Sequence, residues 1–123
     1  MSKDTIKISG IKAFGFHGVF EEERKSGQDF IADIEFTYKT EKAIKTDDLA
    51  HAIDYGSIAT LVKNIIEGEP RNLIEKVADE IAEKILKEFK VTSVKVVLHK
   101  PHAPIDMKFT DISVSVERHK WKQ

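Results

Sequence analysis

A lysine at the end of a predicted strand is the first side chain that could do chemistry. Lys100 follows a run of alternating apolar residues and directly precedes Pro101. A lysine ordinarily titrates near pH ~10.4, so it serves as an acid or base near neutral pH only when a pocket lowers its pKa. By position alone, the simpler interpretation of Lys100 is a strand-end lysine that points into water.

A carboxylate at the start of a predicted helix is the second candidate. Glu75 follows Asn72 by three residues, a spacing that predicts a capping box. In that arrangement Asn72 caps the helix and the Glu75 side chain bonds back to the cap residue. The same carboxylate could instead accept two parallel hydrogen bonds from the amidine-like edge of a ligand. The residues themselves leave both interpretations open.

Two further candidates lie at another helix start and in a loop. Tyr55 follows Asp54 where a helix is predicted to begin. A tyrosine there usually packs with its hydroxyl at the rim, but a phenol can also donate a proton. Glu23 closes the acidic run Glu21-Glu22-Glu23. Because a charge run on a loop is usually solvated, the run by itself does not single out one of the three glutamates.

The histidines and glycines lack the spacing of a metal site or a phosphate loop. None of the five histidines forms H-x-H or H-E-x-x-H, and Pro101 separates His99 from His102. The glycines match neither G-x-G-x-x-G nor a P-loop, and no nucleophile elbow is present. The chain has no cysteine, which excludes disulfides, thiolate metal sites and cysteine nucleophiles. We therefore expect no metal site.

The composition is that of one globular domain, and residues 1–123 are interpreted as a single unit. Apolar residues make up 41% of the chain and charged residues 33%. The net charge of -1 provides no overall field for nucleic acid or an anionic membrane. The N-terminal residues show no apolar signal region, and no run approaches the ~18 apolar residues of a membrane span. We expect a soluble cytoplasmic protein without nucleic-acid or membrane partners.

Alternating apolar residues predict four strands. Over 5–16, Ile6 and Ile8 alternate with polar residues, while Gly10 and Gly15 indicate a bulge or a close backbone approach. The other predicted strands cover 29–39, 93–99 and 110–118. In the first of these, alternation puts five residues on one face and indicates a half-buried strand: Phe30, Ala32, Ile34, Phe36 and Tyr38. The first two strands are joined by a loop of about a dozen residues, which is long for a compact domain, and such loops are often functional.

Helical periodicity predicts two main helices between the strand pairs. They cover 54–67 and 73–89, and a short helical turn is expected within 46–52. The order β-β-α-α-β-β indicates an α+β fold, with an antiparallel four-stranded sheet and two main helices on one face. Such a sheet has open edges, which a closed oligomer could cover.

Four motifs in register resemble the dihydroneopterin aldolase family. They run in order from about residue 5 to 118, nearly the whole chain. They are Gly15-Phe16-His17-Gly18-Val19 followed by Glu23-Arg24 and Gly27-Gln28-Asp29-Phe30; Asp54-Tyr55-Gly56; Glu67-Gly68-Glu69-Pro70 followed by Asn72-Leu73-Ile74-Glu75-Lys76-Val77-Ala78; and Lys100-Pro101 followed by Pro104-Ile105. One departure is Asp106-Met107-Lys108-Phe109, where many relatives have G-H-[YF], so the neighbouring wall of the pocket stays undefined.

The resemblance implies a tunnelling fold and a metal-free, cofactor-free retro-aldol reaction. The implied substrate is 7,8-dihydroneopterin, and the products are 6-hydroxymethyl-7,8-dihydropterin and glycolaldehyde, in folate biosynthesis. The dihydropterin C=N bond would accept the electrons, so no lysine Schiff base is needed. The implied assembly joins the sheets of four subunits into a barrel, as a homotetramer or a stacked homo-octamer. Its active sites would lie between neighbouring subunits.

The resemblance also implies a role for each candidate residue. Glu75 would anchor the pterin, helped by backbone groups at Leu73 and Ile74. Lys100 would be the general acid/base, and Tyr55 would protonate the enol-like intermediate. Register with Gly27-Gln28 selects Glu23 as the loop glutamate near the side-chain hydroxyls. The residues expected to line the pocket are Val19 and Ile53.

Three alternatives remain open at this level. A 2′-epimerase of the same fold could act on dihydroneopterin or its triphosphate, with Arg24, Lys25 and Arg71 near the pocket mouth. A non-catalytic oligomeric pterin-binding module would keep Glu75 without needing Tyr55 or Lys100. A zinc-dependent enzyme of the same fold is disfavoured by the histidine spacing.

Overall fold

Four strands form one antiparallel sheet in the computed structural model, which describes residues 3–120. The strands are β1 (Lys3–Gly15), β2 (Gln28–Lys39), β3 (Ser93–His99) and β4 (Ser113–His119), and they are hydrogen-bonded in that order across the sheet. The four predicted strands are therefore confirmed. β4 begins three residues later than predicted, because only residues from Ser113 onward pair with β3.

Two glycines of β1 have the roles that the sequence predicts for them. Gly10 has φ of 76°, and the pairing with β2 shifts between Ile8 and Ile11, which is a β-bulge. Gly15 lies so close to the backbone of a neighbouring helix that an added Cβ would be 2.5 Å from the carbonyl oxygen of Ile66. Both positions therefore require glycine.

Two long helices connect the two strand pairs. α3 (Tyr55–Glu67) begins after Asp54, whose side chain accepts hydrogen bonds from the N–H groups of Gly56 and Ser57, and it ends at Gly68. α4 (Ile74–Glu88) carries the second apolar stripe. These helices confirm the predicted β-β-α-α-β-β order.

Three short helical segments complete the chain. They are α1 (Glu21–Ser26), α2 (Glu41–Thr46) and a 3₁₀ turn at Leu49–His51. The 3₁₀ turn confirms the predicted turn within 46–52, but α1 and α2 were not predicted. A six-residue helix shows fewer than two turns of periodicity, so an apolar stripe cannot reveal it. The predicted long loop thus contains a helix.

The core lies between one face of the sheet and helices α3 and α4. The alternate residues of β2 that face the helices are all buried, as their spacing predicts: Phe30, Ala32, Ile34, Phe36 and Tyr38. The buried helix residues of the same core cluster include Ile58, Val62, Val77 and Ile81. Within residues 3–120, β1 and β4 each have one edge without a strand partner. Across the same residues, none of the helices has the length and apolar character needed to cross a membrane.

Candidate active site

A cavity of about 400 Å³ lies at the end of the sheet where β3 stops and β4 begins. It is bordered by α1, by the start of α4 and by the connection from β3 to β4. Six of the eight predicted site residues line it: Val19, Glu23, Leu73, Ile74, Glu75 and Lys100. The fold therefore brings side chains from three distant parts of the sequence into one site.

The chemical centre of the cavity is an ion pair. Lys100 Nζ lies 2.5 Å from Glu23 Oε2, and the two side chains are only 13% and 6% exposed. The lysine is therefore not the solvent-facing strand end that position alone favours. Its backbone is held as well, because Lys100 N–H donates to the carbonyl of Ile112 across the β3–β4 junction at 2.7 Å.

Glu23 is the buried member of its acidic run. Because successive residues of a helix point in different directions, α1 leaves Glu21 and Glu22 exposed and directs Glu23 inward. Burial alone would raise the pKa of the Glu23 carboxyl. Hydrogen bonds from Lys100, from the N–H of Phe20 (3.3 Å) and from Gln28 Nε2 (3.1 Å), together with the lysine charge, outweigh burial and hold this pKa below its ordinary value. The carboxylate is thus kept ionised beside the lysine.

Glu75 does not form the predicted capping box. The N-cap residue of α4 is Leu73, and no side chain caps the helix. Asn72 lies one residue before the N-cap, and its Oδ1 accepts a hydrogen bond from Arg24 Nη1 at 2.7 Å. Glu75 is exposed, and within residues 3–120 no hydrogen bond or ion pair engages its carboxylate. The carboxylate is therefore available to a ligand.

The start of α4 offers donors beside that carboxylate. The first N–H groups of an α-helix have no partner inside the helix, and no side chain caps this one. Leu73, Ile74 and Glu75 all line the cavity. One edge of the site can therefore accept hydrogen bonds through a carboxylate and donate them through the backbone, which suits a planar ligand that carries both donors and acceptors.

Comparison with known proteins shows the family of this chain. A profile of the family described as dihydroneopterin aldolase matches residues 6–117. The chain belongs to the dihydroneopterin aldolase family. The chain is 44% identical over 115 residues to a Streptomyces coelicolor protein named dihydroneopterin aldolase, covering 94% of this chain and 97% of that one. A Bacillus subtilis protein of the same name is 36% identical over 118 residues, covering 95% and 98%.

A solved structure of the family has the same fold. It is E. coli dihydroneopterin aldolase in complex with neopterin, with a TM-score of 0.85 and 33% identity, covering 94% of this chain and 98% of that chain. The tunnelling fold expected from the resemblance is thereby confirmed for this member of the dihydroneopterin aldolase family.

Two predicted residues of this family member do not reach the cavity within one chain. Tyr55 is the first residue of α3 and is 61% exposed. Ile53 lines a different cavity of about 550 Å³, on the side of the molecule where β2 and β4 end. The single chain thus assembles an acid/base pair and a binding edge, but it leaves the predicted phenol outside.

Other residues of the cavity were not predicted. Asn72 was expected only to cap α4, but it lines the cavity, as does Phe20, which is 57% exposed. The wall that the sequence left undefined consists of residues on both sides of the departing segment 106–109: Ala103, Pro104, Ile105, Ile112, Ser113 and Val114. The adjacent apolar pair Val19-Phe20 in the predicted loop was the available indication for Phe20. Of the wall, only Pro104 and Ile105 belong to a family motif; no pattern pointed to the other four residues.

The described residues also bear on metal binding. Across 3–120, no cluster of three histidine, aspartate or glutamate side chains has the arrangement of a metal site.

Proposed function

We propose that this protein cleaves 7,8-dihydroneopterin into 6-hydroxymethyl-7,8-dihydropterin and glycolaldehyde, a step in folate biosynthesis. One observation carries the proposal: the carboxylate of Glu75, which has no partner among residues 3–120, shares a cavity with the Glu23–Lys100 ion pair. A binding edge therefore lies beside an acid/base pair. Family membership supports the assignment, as does the E. coli relative's complex with neopterin.

Glu75 binds the pterin ring through its amidine-like edge. The carboxylate accepts hydrogen bonds from N3–H and the 2-amino group, and the backbone at Leu73 and Ile74 completes the contact. Such a bidentate, charge-assisted pair fixes the plane and direction of the ring. The side chain at C6 is then directed toward Lys100 and Glu23, with Val19 against the ligand.

The reaction breaks the C1′–C2′ bond of that side chain. A base removes the proton of the 2′-hydroxyl, the C2′–O bond becomes the carbonyl of glycolaldehyde, and the bonding electrons pass through C1′ and C6 to N5. Lys100 supplies the proton at N5, directly or through water, and Glu23 faces the side-chain hydroxyls. A proton delivered to C1′, with return of the N5 proton to Lys100, then regenerates the C=N bond and gives the hydroxymethyl product.

Tyr55 is the proposed donor of that last proton, and a neighbouring subunit supplies it. Tyr55 and Ile53 lie outside the cavity of their own chain, and the open edges of β1 and β4 provide surfaces for sheet extension between subunits. A closed ring of four subunits, or two stacked rings, would bring the exposed start of α3 to the next subunit's cavity. Analytical ultracentrifugation tests the assembly.

A product assay tests the function directly. Purified protein is incubated with 7,8-dihydroneopterin and a chelator, and glycolaldehyde and both 2′-epimers are quantified. Glycolaldehyde release without added metal is the expected result. An epimer without glycolaldehyde would assign the epimerase activity instead. Tight neopterin binding without any product would indicate a pterin-binding module, and absence of both would remove the proposal.

Two broader expectations belong to the same proposal. We treat residues 1–123 as one domain, which a single unfolding transition followed by two probes would support. We also place the enzyme in the cytoplasm, as its cysteine-free composition favours, and cell fractionation tests this placement.

A further inference from the structure

The segment that leads into Glu75 is held by two consecutive residues of another loop. Arg71 N–H donates to His17 Nδ1 at 3.0 Å, and the carbonyl of Arg71 accepts from the N–H of Gly18 at 2.8 Å. Both backbone groups of Arg71 are therefore occupied. Residues 17–18 lead into α1 and Glu23, while residues 71–72 lead into α4 and Glu75, so this contact joins the two halves of the cavity.

The His17 ring is buried, and both of its nitrogens have hydrogen-bond partners. It is 1% exposed, and it packs edge-to-face against Phe30 with ring centroids 5.3 Å apart. Its Nε2 lies 2.7 Å from the carbonyl oxygen of Ile66, at the end of α3. A carbonyl only accepts and a backbone amide only donates, so Nε2 must carry the proton and Nδ1 must be the acceptor for Arg71. The contacts thus permit one neutral tautomer.

A second contact holds the same segment from the α1 side. Arg24 Nη1 donates to Asn72 Oδ1 at 2.7 Å and lies 3.4 Å from the carbonyl oxygen of Gly18. α4 has no side-chain cap, and these bonds connect residues 71 and 72, just before its first turn, to α1 and the loop that precedes it. Arg71 is also tied to α4 itself, because its Nε lies 2.6 Å from Glu80 Oε1. Any rotation of that turn would move Glu75 relative to Lys100.

We propose that His17 is a positioning residue for pterin binding: its Nδ1 holds the Arg71 amide and thereby sets Glu75 at the correct distance from the Glu23–Lys100 pair. This inference rests on the proposed function. His17 touches neither the cavity nor its reacting groups. Its effect therefore falls on affinity for the ring and not on the proton transfers. Burial lowers the pKa of His17 despite the opposing effects of the Ile66 carbonyl and Glu80. The lowered pKa favours the neutral form of the ring.

Two substitutions separate positioning from general stability. His17→Asn places a carbonyl oxygen near Nδ1 and keeps the acceptor for Arg71, but it loses the bond to Ile66. His17→Gln places an amide nitrogen near Nε2 and keeps the bond to Ile66, but it loses the acceptor. Both variants give up the ring packing against Phe30, so both should melt at a lower temperature. His119→Gln, at the far end of β4 from the cavity, is the matched control.

Neopterin binding, KM, kcat and Tm are measured for each variant. We expect His17→Gln to raise the neopterin Kd and the KM about ten-fold, as the loss of one net hydrogen bond would, with kcat within about three-fold of wild type. His17→Asn should keep Kd within about three-fold at a similar loss of Tm. Equal Kd values for the two variants, or a loss confined to kcat, would overturn the positioning role.

The pH dependence of neopterin binding covers the case in which His17→Gln does not fold. Protonation of Nδ1 removes the acceptor, so the wild-type Kd should rise at acidic pH by more than that of His17→Asn, whose amide does not titrate. The charged groups that act on His17 are Glu80, Arg24 and Arg71, and both proteins retain them. Superimposable pH profiles would contradict the proposal. Because binding is read separately from turnover, absence of cleavage in the wild type would count against the proposed function and not against His17.

Discussion

Replacing Glu75 by alanine separates the two interpretations of this carboxylate. Loss of a capping interaction typically costs about 1 kcal/mol of stability. In the structure Glu75 is exposed and has no partner within residues 3–120, so its removal should change the free energy of unfolding by less than ~0.5 kcal/mol. The variant is therefore expected to fold and assemble as the wild type does.

The effect on binding should be much larger. Each hydrogen bond to a charged group contributes about 1.5–3 kcal/mol, and the ring edge makes two of them with Glu75. Water solvates the exposed carboxylate in the free protein, which places the net loss near the lower end, at about 3 kcal/mol. This corresponds to a roughly 100-fold weaker Kd. Glu75→Gln should bind neopterin no better than Glu75→Ala does, because the amide N–H₂ of the glutamine would face a donor of the ligand.

Titration with neopterin and thermal unfolding measure the two quantities. Glu69→Ala is the matched control, because Glu69 is an exposed carboxylate that lies near α4 but does not line the cavity. A large loss of Tm with little change in Kd would restore the capping interpretation. A Kd within a factor of three of wild type in both Glu75 variants would refute the assignment of the binding edge.

Three further predictions test the remaining parts of the site. Lys100→Ala should lower kcat by a factor of about 10²–10⁴ while the neopterin Kd changes little, because a general acid/base takes part in proton transfer and not in binding of the ring. An unchanged rate in single-turnover kinetics would exclude that role. Mixed oligomers of Lys100→Ala and Tyr55→Phe chains should regain about a quarter of wild-type turnover. If each site takes its lysine from one subunit and its tyrosine from the next, one random neighbour pair in four combines an intact Lys100 with an intact Tyr55. No recovery after co-refolding would mean that each site is built within one chain. His99 is hydrogen-bonded by Asp111 at 2.6 Å and Asp33 at 2.8 Å, and despite the opposing effect of burial these bonds raise its pKa above the ordinary 6.5. The stability that the charged His99 contributes is therefore complete below pH 6.5 and is lost as pH rises through its folded-state pKa. The Tm of the wild type relative to that of His99→Gln should accordingly fall on the alkaline side. A Tm difference that stays constant with pH would contradict the raised pKa of His99.

Periodicity was sufficient for the main elements of the fold. The alternation in β2 placed five residues in the core, and all are buried, because the period of a strand commits every second side chain to one face. The apolar stripes of α3 and α4 extended over several turns and gave equally direct predictions. α1 and α2 have six residues each, which is too short for a stripe, and contacts with the rest of the chain stabilise them.

The candidate residues could be named from the sequence, but their states could not. By residue type Glu23 was indistinguishable from its two neighbours and only the family register selected it; its burial, in contrast to their exposure, follows from the turn of α1. The capping box at Asn72 was wrong because Arg24, a residue distant in sequence, holds the Asn72 side chain. The spacing of neighbouring residues along the chain gives no information about a distant residue that competes for the same hydrogen bond.

The sequence by itself therefore determined the element order, the core faces and the residues capable of acid/base chemistry, since these depend on residue type and short-range spacing. Tertiary structure decided that Lys100 is buried against Glu23, that no described residue pairs with Glu75, and that His17 joins the segments which carry Glu23 and Glu75. These outcomes depend on contacts between segments that are far apart along the chain. The strength of such contacts is set by burial and by competing hydrogen-bond partners, which become defined only when the chain has folded.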